Sequence, residues 1–519
     1  MVCIDKFLQS IRGIIWLGVL FFLASCLGEQ SSGSSIHDSP SINEETSIST
    51  AIVTPELIKT PLLNQVLITP EGNLVEAHTS TPTYIPIASP TLTSTIVQGH
   101  ILPTTSRIER VNLTYDGLQL AGSSAAPSIS ANGQFVAFVS SGANFVDGKE
   151  SEHSQVFVRD RKNGTTEIVS VNDEGVMGNQ ASGVWVEQGS STSISGNGRY
   201  VTFHSFATNL VPDTPPQANI FVYDRHTKQI KLITGSANGD SMWPILSEDG
   251  LSIVFISEAD NLVPDDTNQV RDIFVYNQTN DNLERVSLAT NGVEANAPSG
   301  NFSFLSVSAN GRFIAFDSFA DNLVPDDTNN VIDVFVYDRQ TKEIERISKS
   351  NNGVEANGES IHPSLSADGR YIAFQSVATN LVNFDTEALS NIFIYDREKG
   401  LIQLVELYAG SLQEDVFNGN PDISSSGRWV VFTSNANDPM FEDSNYVSDI
   451  FLYDSQTEES LILSVSDQGE ASNGLSIAPV LSANECTVVF WSLATNLISD
   501  DTNQTWDIFV RDLDGVCGK

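Results

Sequence analysis

The chain has 519 residues, of which 65 are Asp or Glu and 26 are Lys or Arg, so its formal net charge at pH 7 is −39. This acidity argues against nucleic acid or an anionic membrane surface as a partner, because both would repel the protein. Acidity at this level mainly supports solubility. Binding of divalent cations or of basic partners is the secondary interpretation.

The first 26 residues have the pattern of an export signal. Lys6 and Arg12 precede the apolar run from Ile14 to Ala24, and Cys26 follows small residues that favour cleavage. The run has 11 residues, which is too short to span a bilayer comfortably. The segment resembles a bacterial lipoprotein signal, which implies a signal peptide over residues 1–26 with Cys26 as the lipidated residue. An uncleaved anchor helix is the alternative, and both interpretations place the rest of the chain outside the cytoplasm.

Residues 27–106 are rich in Ser, Thr and Pro and show no sustained periodicity. This composition is typical of a flexible tether. A tether of about 80 such residues has a root-mean-square reach of about 50 Å. We therefore expect it to hold the following domain away from the membrane.

From residue 107 onward, one pattern recurs seven times. Each copy contains Gly-Arg-aromatic-Val/Ile-Ala-Phe-x-Ser, then Asp-Ile-Phe-Val-Tyr-Asp, then Glu-Arg-Val/Ile-Ser, with variations. These runs are short, β-branched and aromatic, and they are bounded by Gly, Asn and Asp, which predicts strands. In the last copies, positions 311, 369, 427 and 485 are each 58 residues apart, which is enough for four strands and long loops.

The two ends of the repeat region distinguish a propeller from a solenoid. The last copy ends at Asp512 with no room for a fourth strand, whereas the segment Arg107–Thr114, ahead of the first copy, matches the outer strands of later copies. A solenoid needs polar capping repeats, but a propeller closes on itself. We therefore predict an all-β fold over residues 107–519: a seven-bladed β-propeller of four-stranded blades. The N-terminal outer strand completes the last blade and removes an exposed edge.

The first turn of most copies reads Ser-x-Asn/Asp-Gly, as at Ser130–Gly133 and Ser366–Gly369. Together with the strand motifs, this turn resembles the TolB-type (WD-like) β-propeller repeat, and the resemblance covers residues 107–519. It implies the fold and, since TolB-type propellers are implicated in envelope assemblies, a role in binding envelope proteins. Propellers host many unrelated activities, so the resemblance implies nothing more specific.

Strand order divides the loops between two faces. The turns that join strands one to two and three to four are short and define the tight-turn face. The loops from strand two to three and the connections between blades are long and define the long-loop face, which carries Gln269 and Asn330. Since binding residues tend to lie on long loops over a rigid scaffold, we expect the long-loop face to be the functional one.

The long-loop face carries the motif Asp-Asp-Thr-Asn-x-x-x-Asp three times. Clustered oxygen ligands in a loop suit calcium, but the same residue types also serve as turn and cap residues that bond to backbone N–H groups. The spacing differs from that of an EF-hand loop, and repetition in several blades suggests a task that each blade needs. Structural hydrogen bonding, calcium binding and catalysis are all open. The candidate residues are Asp265, Asp266, Asn268, Asp272, Asp326, Asp327, Asn329, Asp333, Asp500, Asp501, Asn503 and Asp507.

Two cysteines lie in the last copy. Cys486 opens its second strand and Cys517 follows its third. These two ends are adjacent in an antiparallel pair, so a Cys486–Cys517 disulfide is a reasonable hypothesis in an oxidising compartment. Two buried free thiols are the alternative.

The sequence contains no Gly-x-Ser-x-Gly, His-Glu-x-x-His or phosphate-loop motif. His204 stands where other copies have different residues, and we interpret it as a surface or interblade residue. Trp185, Trp243 and Trp506, in or near long connections, could stack on a sugar or anchor a partner, with ordinary packing as the alternative. We therefore expect no catalytic residues and no cofactor other than possible calcium.

These patterns predict a monomeric, lipid-anchored, non-enzymatic protein of the cell envelope that binds a partner protein through its long-loop face. The alternative from another class is a glycan-binding or glycan-cleaving propeller with paired carboxylates near the central channel. A third hypothesis is a surface scaffold that holds structural calcium.

Overall fold

The computed structural model describes residues 106–120, 122–142, 151–183, 191–300, 304–383, 390–407, 416–436 and 447–513. All of them belong to the second of two compact units in the chain, Ser94–Lys519. The predicted signal peptide, Cys26, the predicted tether up to residue 105, Trp185 and Cys517 lie outside the described residues. Within the described ranges, no helix has the length and apolar character needed to span a membrane.

The described residues form seven antiparallel four-stranded sheets, which are the blades of a β-propeller. The predicted fold is confirmed. Blade 1 contains β2 (Ser124–Ile129), β3 (Phe135–Ser140), β4 (Gln155–Asp160) and β5 (Thr165–Ile168); blade 2 contains β6 (Thr192–Ile194), β7 (Tyr200–Ser205), β8 (Asn219–Asp224) and β9 (Gln229–Leu232); blade 3 contains β10 (Ser241–Leu246), β11 (Ser252–Ser257), β12 (Asp272–Asn277) and β13 (Asn282–Arg285). Blade 4 contains β14 (Ser306–Val307), β15 (Phe313–Ser318), β16 (Asp333–Asp338) and β17 (Glu343–Arg346); blade 5 contains β18 (Ser360–Leu365), β19 (Tyr371–Ser376), β20 (Asn391–Asp396) and β21 (Leu401–Leu404). Blade 6 contains β22 (Asn418–Ile423), β23 (Trp429–Ser434), β24 (Asp449–Asp454) and β25 (Glu459–Ile462); blade 7 contains β26 (Ser476–Leu481), β27 (Thr487–Ser492), β28 (Asp507–Asp512) and β1 (Ile108–Arg110).

The predicted ring closure is also confirmed. Strand β1 pairs antiparallel with β28, with Ile108 opposite Arg511 and Arg110 opposite Phe509. The sheet order of the last blade is β1-β28-β27-β26. The outer strand of blade 7 thus comes from the other end of the propeller sequence, and β28 has a partner on each side.

Pairs of facing phenylalanine rings fill the middle of each blade. A phenylalanine of the second strand lies opposite one of the third, as in Phe138–Phe157, whose ring centroids are 5.9 Å apart. Both faces of a blade are covered by the neighbouring blades, so the side chains on both faces of these strands are apolar and the strand sequences are nearly continuous apolar runs. The equivalent pairs are Phe203–Phe221, Phe255–Phe274, Phe316–Phe335, Phe374–Phe393, Phe432–Phe451 and Phe490–Phe509.

Small hairpins cover the outer edges of the blades. The connection after an outer strand folds back, and one of its side chains accepts a hydrogen bond from the outer strand of the next blade. Asp173 accepts the N–H of Ile230 at 3.0 Å, and Asn351 accepts the N–H of Ile402 at 2.7 Å. These contacts occupy backbone donors that an edge strand would otherwise present to another chain.

Candidate binding faces

Each copy of the acidic motif surrounds an arginine of the outer strand. In blade 3, Arg285 NH1 lies 2.8 Å from Asp266 and 3.4 Å from Asp272, and Arg285 NH2 lies 2.6 Å from Glu294. The side chains of Arg285, Asp266 and Asp272 are nearly inaccessible to solvent. The arginine therefore supplies, at the centre of the acids, the positive charge that their burial requires.

The same arrangement recurs in the other two copies. In blade 4, Arg346 NH1 lies 3.1 Å from Asp327, 3.7 Å from Asp333 and 3.0 Å from Glu355. In blade 7 the closing strand supplies Arg110, which lies 3.7 Å from Asp501, 3.8 Å from Asp507 and 3.5 Å from Asp500.

The uncharged residues of the motif hold the loop in place. Asn268 Nδ2 donates to Asp272 at 2.9 Å and to the carbonyl of Ala295 at 3.0 Å. The N–H and hydroxyl of Thr267 donate to Glu294 at 2.8 and 2.6 Å. Asn329 and Asn503 donate to Asp333 and Asp507 and to the carbonyls of Ala356 and Leu120. These contacts match the structural hydrogen-bonding interpretation of the motif.

Burial dominates the titration of these acids. It raises the pKa of Asp266 and that of Asp327 to about 6. It also raises the pKa of Asp272 and Asp333, against the opposing hydrogen bonds from Ser287 and Ser348. The first Asp of each motif, in contrast, is exposed, and Asp500 has 76% of its side chain accessible.

A metal site is not formed by the part of the chain that the structure describes: no group of three or more His, Cys, Asp or Glu side chains there is arranged to hold an ion. The acids of the motif lie around arginine instead. Calcium binding by these loops stays a prediction, and the described geometry gives it no support.

At the long-loop end of the central axis, several blades present apolar side chains. Phe319, which is 43% exposed, follows the second strand of blade 4, and its N–H donates to the Pro298 carbonyl at 3.1 Å. Phe417, which is 38% exposed, immediately precedes β22, the inner strand of blade 6. The residues that correspond to Phe319 in blades 5 and 7 are the half-buried Val377 and Leu493. We refer to Phe319, Phe417, Val377 and Leu493 as the apolar mouth.

The tight-turn end of the axis is different, because the first turns of successive blades hydrogen-bond to one another. Around the ring, each turn contributes a backbone N–H, and a backbone carbonyl or one glutamate side chain accepts it. The bonds are Ala131 N to Gly196 O, Gly196 N to Glu248 O, Asp249 N to Ala309 O, Ala309 N to Ala367 O, Ala367 N to Ser425 O, Ser426 N to Glu485 Oε1, and Asn484 N to Ala131 O. This closed circuit ties the turns together. An exposed apolar side chain also lies at this end, because Leu251, in the first turn of blade 3, is 42% exposed.

The inner strands contain a repeated motif that the strand patterns did not predict. In five blades the inner strand has a proline at its fourth position, and the residue before it has a positive φ, which reaches 54° at His362. Proline lacks the N–H that an edge strand would leave unpaired, so it suits this innermost position. A search for Ser/Asn-x-x-Pro in the sequence would have revealed the motif. The positive-φ residues are Ala126, Trp243, His362, Asn420 and Ala478.

Asp422 lies on the inner strand of blade 6 and joins three blades. Its carboxylate accepts a hydrogen bond from Ser364 Oγ in blade 5 and another from the N–H of Leu481 in blade 7, both at 2.8 Å. The residue is half-buried, and the desolvation of its carboxylate by the surrounding protein raises its pKa to about 6. Among the described inner-strand residues it is the sole carboxylate, so these strands do not contain an acid pair of the kind a glycan-cleaving site needs.

His204, Trp243 and Trp506 are the singled-out aromatic residues that the structure describes, and each contacts another aromatic ring. His204 is buried between blades 2 and 3, and its Nδ1 accepts the N–H of Trp243 at 3.5 Å. Burial lowers the pKa of His204 to about 4, so the ring is neutral at physiological pH. Trp243 is the third residue of β10, close to the connection between blades 2 and 3. Trp506 packs on Trp491 with ring centroids 5.0 Å apart.

Cys486 is disulfide-bonded. Its carbonyl accepts the N–H of Leu513 at 2.8 Å, which brings it to the end of β28. The predicted partner, Cys517, lies outside the described residues, so the specific pairing stays a prediction.

No protein-family model matches this sequence, and no curated protein matches it either. Among solved structures, oligogalacturonate lyase from Vibrio parahaemolyticus aligns with 79% of this chain and 92% of its own, at 11% identity and a TM-score of 0.43. The β-propeller domain of the Trilobed protease from Pyrococcus furiosus aligns with 76% of this chain and 96% of its own, at 13% identity and a TM-score of 0.45. TolB from Acinetobacter baumannii aligns with 74% and 81%, at 13% identity and a TM-score of 0.35. Similarities this low carry no argument about activity.

Proposed function

We propose that this protein is a lipid-anchored propeller outside the cytoplasm, which binds a partner protein of the cell envelope through its long-loop face and has no catalytic activity. The observation that carries the proposal is the exposure of Phe319 and Phe417 at the apolar mouth. Exposed acids of the same face, such as Asp265 and Asp326, would form the polar surroundings. Aromatic anchors inside a polar rim are typical of protein interfaces.

The charge of the chain supports a basic partner. With a formal net charge of −39, the protein would attract a positively charged surface over long range and accelerate its association. The attraction would weaken with added salt.

Two observations support the location. The sequence from Leu23 to Cys26 has the small residues that precede a lipidated cysteine, and Cys486 is disulfide-bonded. Disulfides persist mainly in oxidising compartments. Replacing Cys26 by Ala should release the protein from membranes, and unchanged membrane retention would contradict the lipid anchor.

Photo-crosslinking in intact cells tests the binding face. A probe placed at Gln269 or Asn330 samples the long-loop face, and a probe at Gln340 samples the tight-turn face. We expect one protein to be trapped from the long-loop face alone, and its capture to be lost when Phe319 and Phe417 are both replaced by Ala. Leu251→Ala is the matched control, because Leu251 is 42% exposed in the first turn of blade 3, on the tight-turn face. Capture that survives the double replacement would overturn the proposal, and no capture from either face would favour the glycan alternative.

A further inference from the structure

Arginine side chains join neighbouring blades at four interfaces. The arginine lies just after the third strand of one blade and bonds to a glutamate on the outer strand of the preceding blade. Arg397 of blade 5 donates from Nε to Glu345 at 3.1 Å and from NH1 to the Gly369 carbonyl at 2.9 Å. Its guanidinium also lies 4.6 Å from the ring centroid of Phe313. We call this arrangement an arginine staple. The other staples are Arg161–Glu109, Arg225–Glu167 and Arg339–Glu284.

At the interface between blades 5 and 6, Ser455 and Gln403 stand in the positions of Arg397 and Glu345. Ser455 Oγ donates to the Gly427 carbonyl at 3.4 Å, close to the upper limit for a hydrogen bond. Gln403 Nε2 donates to the Tyr453 hydroxyl at 3.0 Å. Because the serine side chain is so much shorter than arginine, a cleft of about 660 Å³ opens between the two blades.

The other groups of a staple site are present in this cleft. Tyr371 occupies the position that Phe313 has beside Arg397, and the Gly427 carbonyl corresponds to that of Gly369. Tyr371, Gly427 and Gln403 all line the cleft. An aromatic ring, a carbonyl and an amide oxygen together can bind the face and the N–H groups of a guanidinium.

The charged side chains at the cleft are paired with one another. Arg428 is paired with Asp454 at 2.6 Å, and Lys399 lies 3.5 Å from Asp396. Glu485 also lines the cleft, and its carboxylate accepts the N–H of Ser426. Asp396 also accepts hydrogen bonds from Arg370 at 2.9 and 2.8 Å, so Arg370, Lys399 and Arg428 are matched by Asp396, Asp454 and Glu485. The fit of the cleft to a guanidinium therefore rests on the aromatic ring, the carbonyl and the amide oxygen, and not on net charge.

The remaining two interfaces fill the equivalent place with atoms of the chain itself. Between blades 2 and 3, Gln278 Nε2 donates to the Gly250 carbonyl at 2.5 Å. Between blades 6 and 7, the buried Leu513 and the neighbouring Leu461 belong to one apolar cluster. The open cleft at blades 5 and 6 therefore differs from both.

We propose that the cleft between blades 5 and 6 binds the guanidinium group of an arginine side chain from a partner protein. The partner's arginine would occupy the place that the chain's own arginine occupies in the four staples. This site is distinct from the long-loop face, since the lining residues Gly427 and Arg428 belong to the first turn of blade 6.

Titration of the full chain with N-acetyl-L-arginine methylamide tests the proposal, with the citrulline analogue as the uncharged control. We expect millimolar binding of the arginine compound, weaker binding of the citrulline compound, and loss of binding in Ser455→Arg, which places a guanidinium in the cleft. Gln403→Glu restores the acid of the other staples and should tighten binding about tenfold, because a charge-assisted hydrogen bond is stronger than a neutral one.

Two controls make the result decisive. Arg397→Ser opens an equivalent cleft that retains Glu345, so it should gain a site for the arginine compound and shows that the assay detects such sites. Gln340→Arg adds the same charge as Ser455→Arg outside the cleft and should leave binding unchanged. Three results would overturn the proposal. They are equal binding of the arginine compound by the wild type and Ser455→Arg, equal binding of the arginine and citrulline compounds by the wild type, and no binding by the wild type under conditions in which Arg397→Ser binds. If Ser455→Arg does not fold, an unchanged affinity of Gln403→Glu for the arginine compound would overturn the proposal. None of these results depends on crosslinking from the long-loop face.

Discussion

Asn112 Nδ2 donates a 2.5 Å hydrogen bond to Asp507, and Asn112 Oδ1 accepts the N–H of Ile508 at 2.9 Å. In blade 6 a serine performs both tasks within one stretch of chain: Ser464 donates to Asp449 at 2.5 Å and accepts the N–H of Ile450 at 2.9 Å. The closing strand thus reproduces, from the opposite end of the propeller sequence, a contact that ordinary outer strands make locally.

Replacing Asn112 should therefore weaken ring closure. Asn112→Leu leaves the buried Asp507 without this donor and Ile508 without its acceptor, and we expect a loss of about 1–3 kcal/mol in unfolding free energy. Asn112→Ser restores the residue type found at this position in blade 6 and should cost less. Urea unfolding of the two variants provides the measurement, and equal stabilities would contradict this account of closure.

The arginine inside each acidic motif should be essential for stability. Arg285→Met leaves Asp266 and Asp272 buried without their counter-charge, so we expect a loss of about 3–5 kcal/mol in unfolding free energy. Arg312→Met is the control, since its pair with Asp338 is more exposed and should matter much less. Denaturant unfolding that gave similar losses for both variants would show that the buried cluster has no special role.

Removal of divalent cations should leave the protein unchanged. Because an arginine side chain lies among the buried acids of the motif, where a bound cation would have to sit, EDTA is expected to have no effect on the melting temperature measured at neutral pH. A second scan with added calcium should superimpose on the first. A lower melting temperature in EDTA, restored by calcium, would support calcium binding by these loops.

Asp422 should make stability depend on pH. Its folded-state pKa of about 6 lies above the usual value of about 3.9 for an unfolded chain. The folded state therefore binds the proton more tightly, and stability is lost as the pH rises through this interval. Asp422→Asn cannot ionise, so it should become more stable relative to wild type between about pH 4 and pH 7. Urea unfolding across this range measures the difference, and a difference independent of pH would contradict the assignment.

Much of the fold could be predicted because the repeats specify it locally. The alternation of apolar and turn residues predicted the second and third strands of each blade, and the outer-strand sequence at Arg107–Thr114 predicted closure. Glu485 replaces glycine in the first turn of blade 7 yet adopts the same left-handed conformation, with φ of 62°. The surrounding blade therefore imposes the turn even where the residue type does not favour it.

The site was less predictable because its contacts cross between strands. The acidic motif and the Glu-Arg outer strand were both visible in the sequence, but their separation of about 20 residues did not show that Arg285 lies among the acids. The proline motif of the inner strands was not predicted either, because proline is rarely found inside a strand.

The sequence by itself determined the number of blades, the strand order and the origin of the closing strand, because these follow from the order and spacing of repeated segments. The tertiary structure alone decided that the clustered acids surround arginine, that Phe319 and Phe417 are exposed at the same end of the axis, and that Ser455 leaves a cleft between two blades. Charge balance, exposure and free space depend on side chains from distant segments, and only folding brings those side chains together.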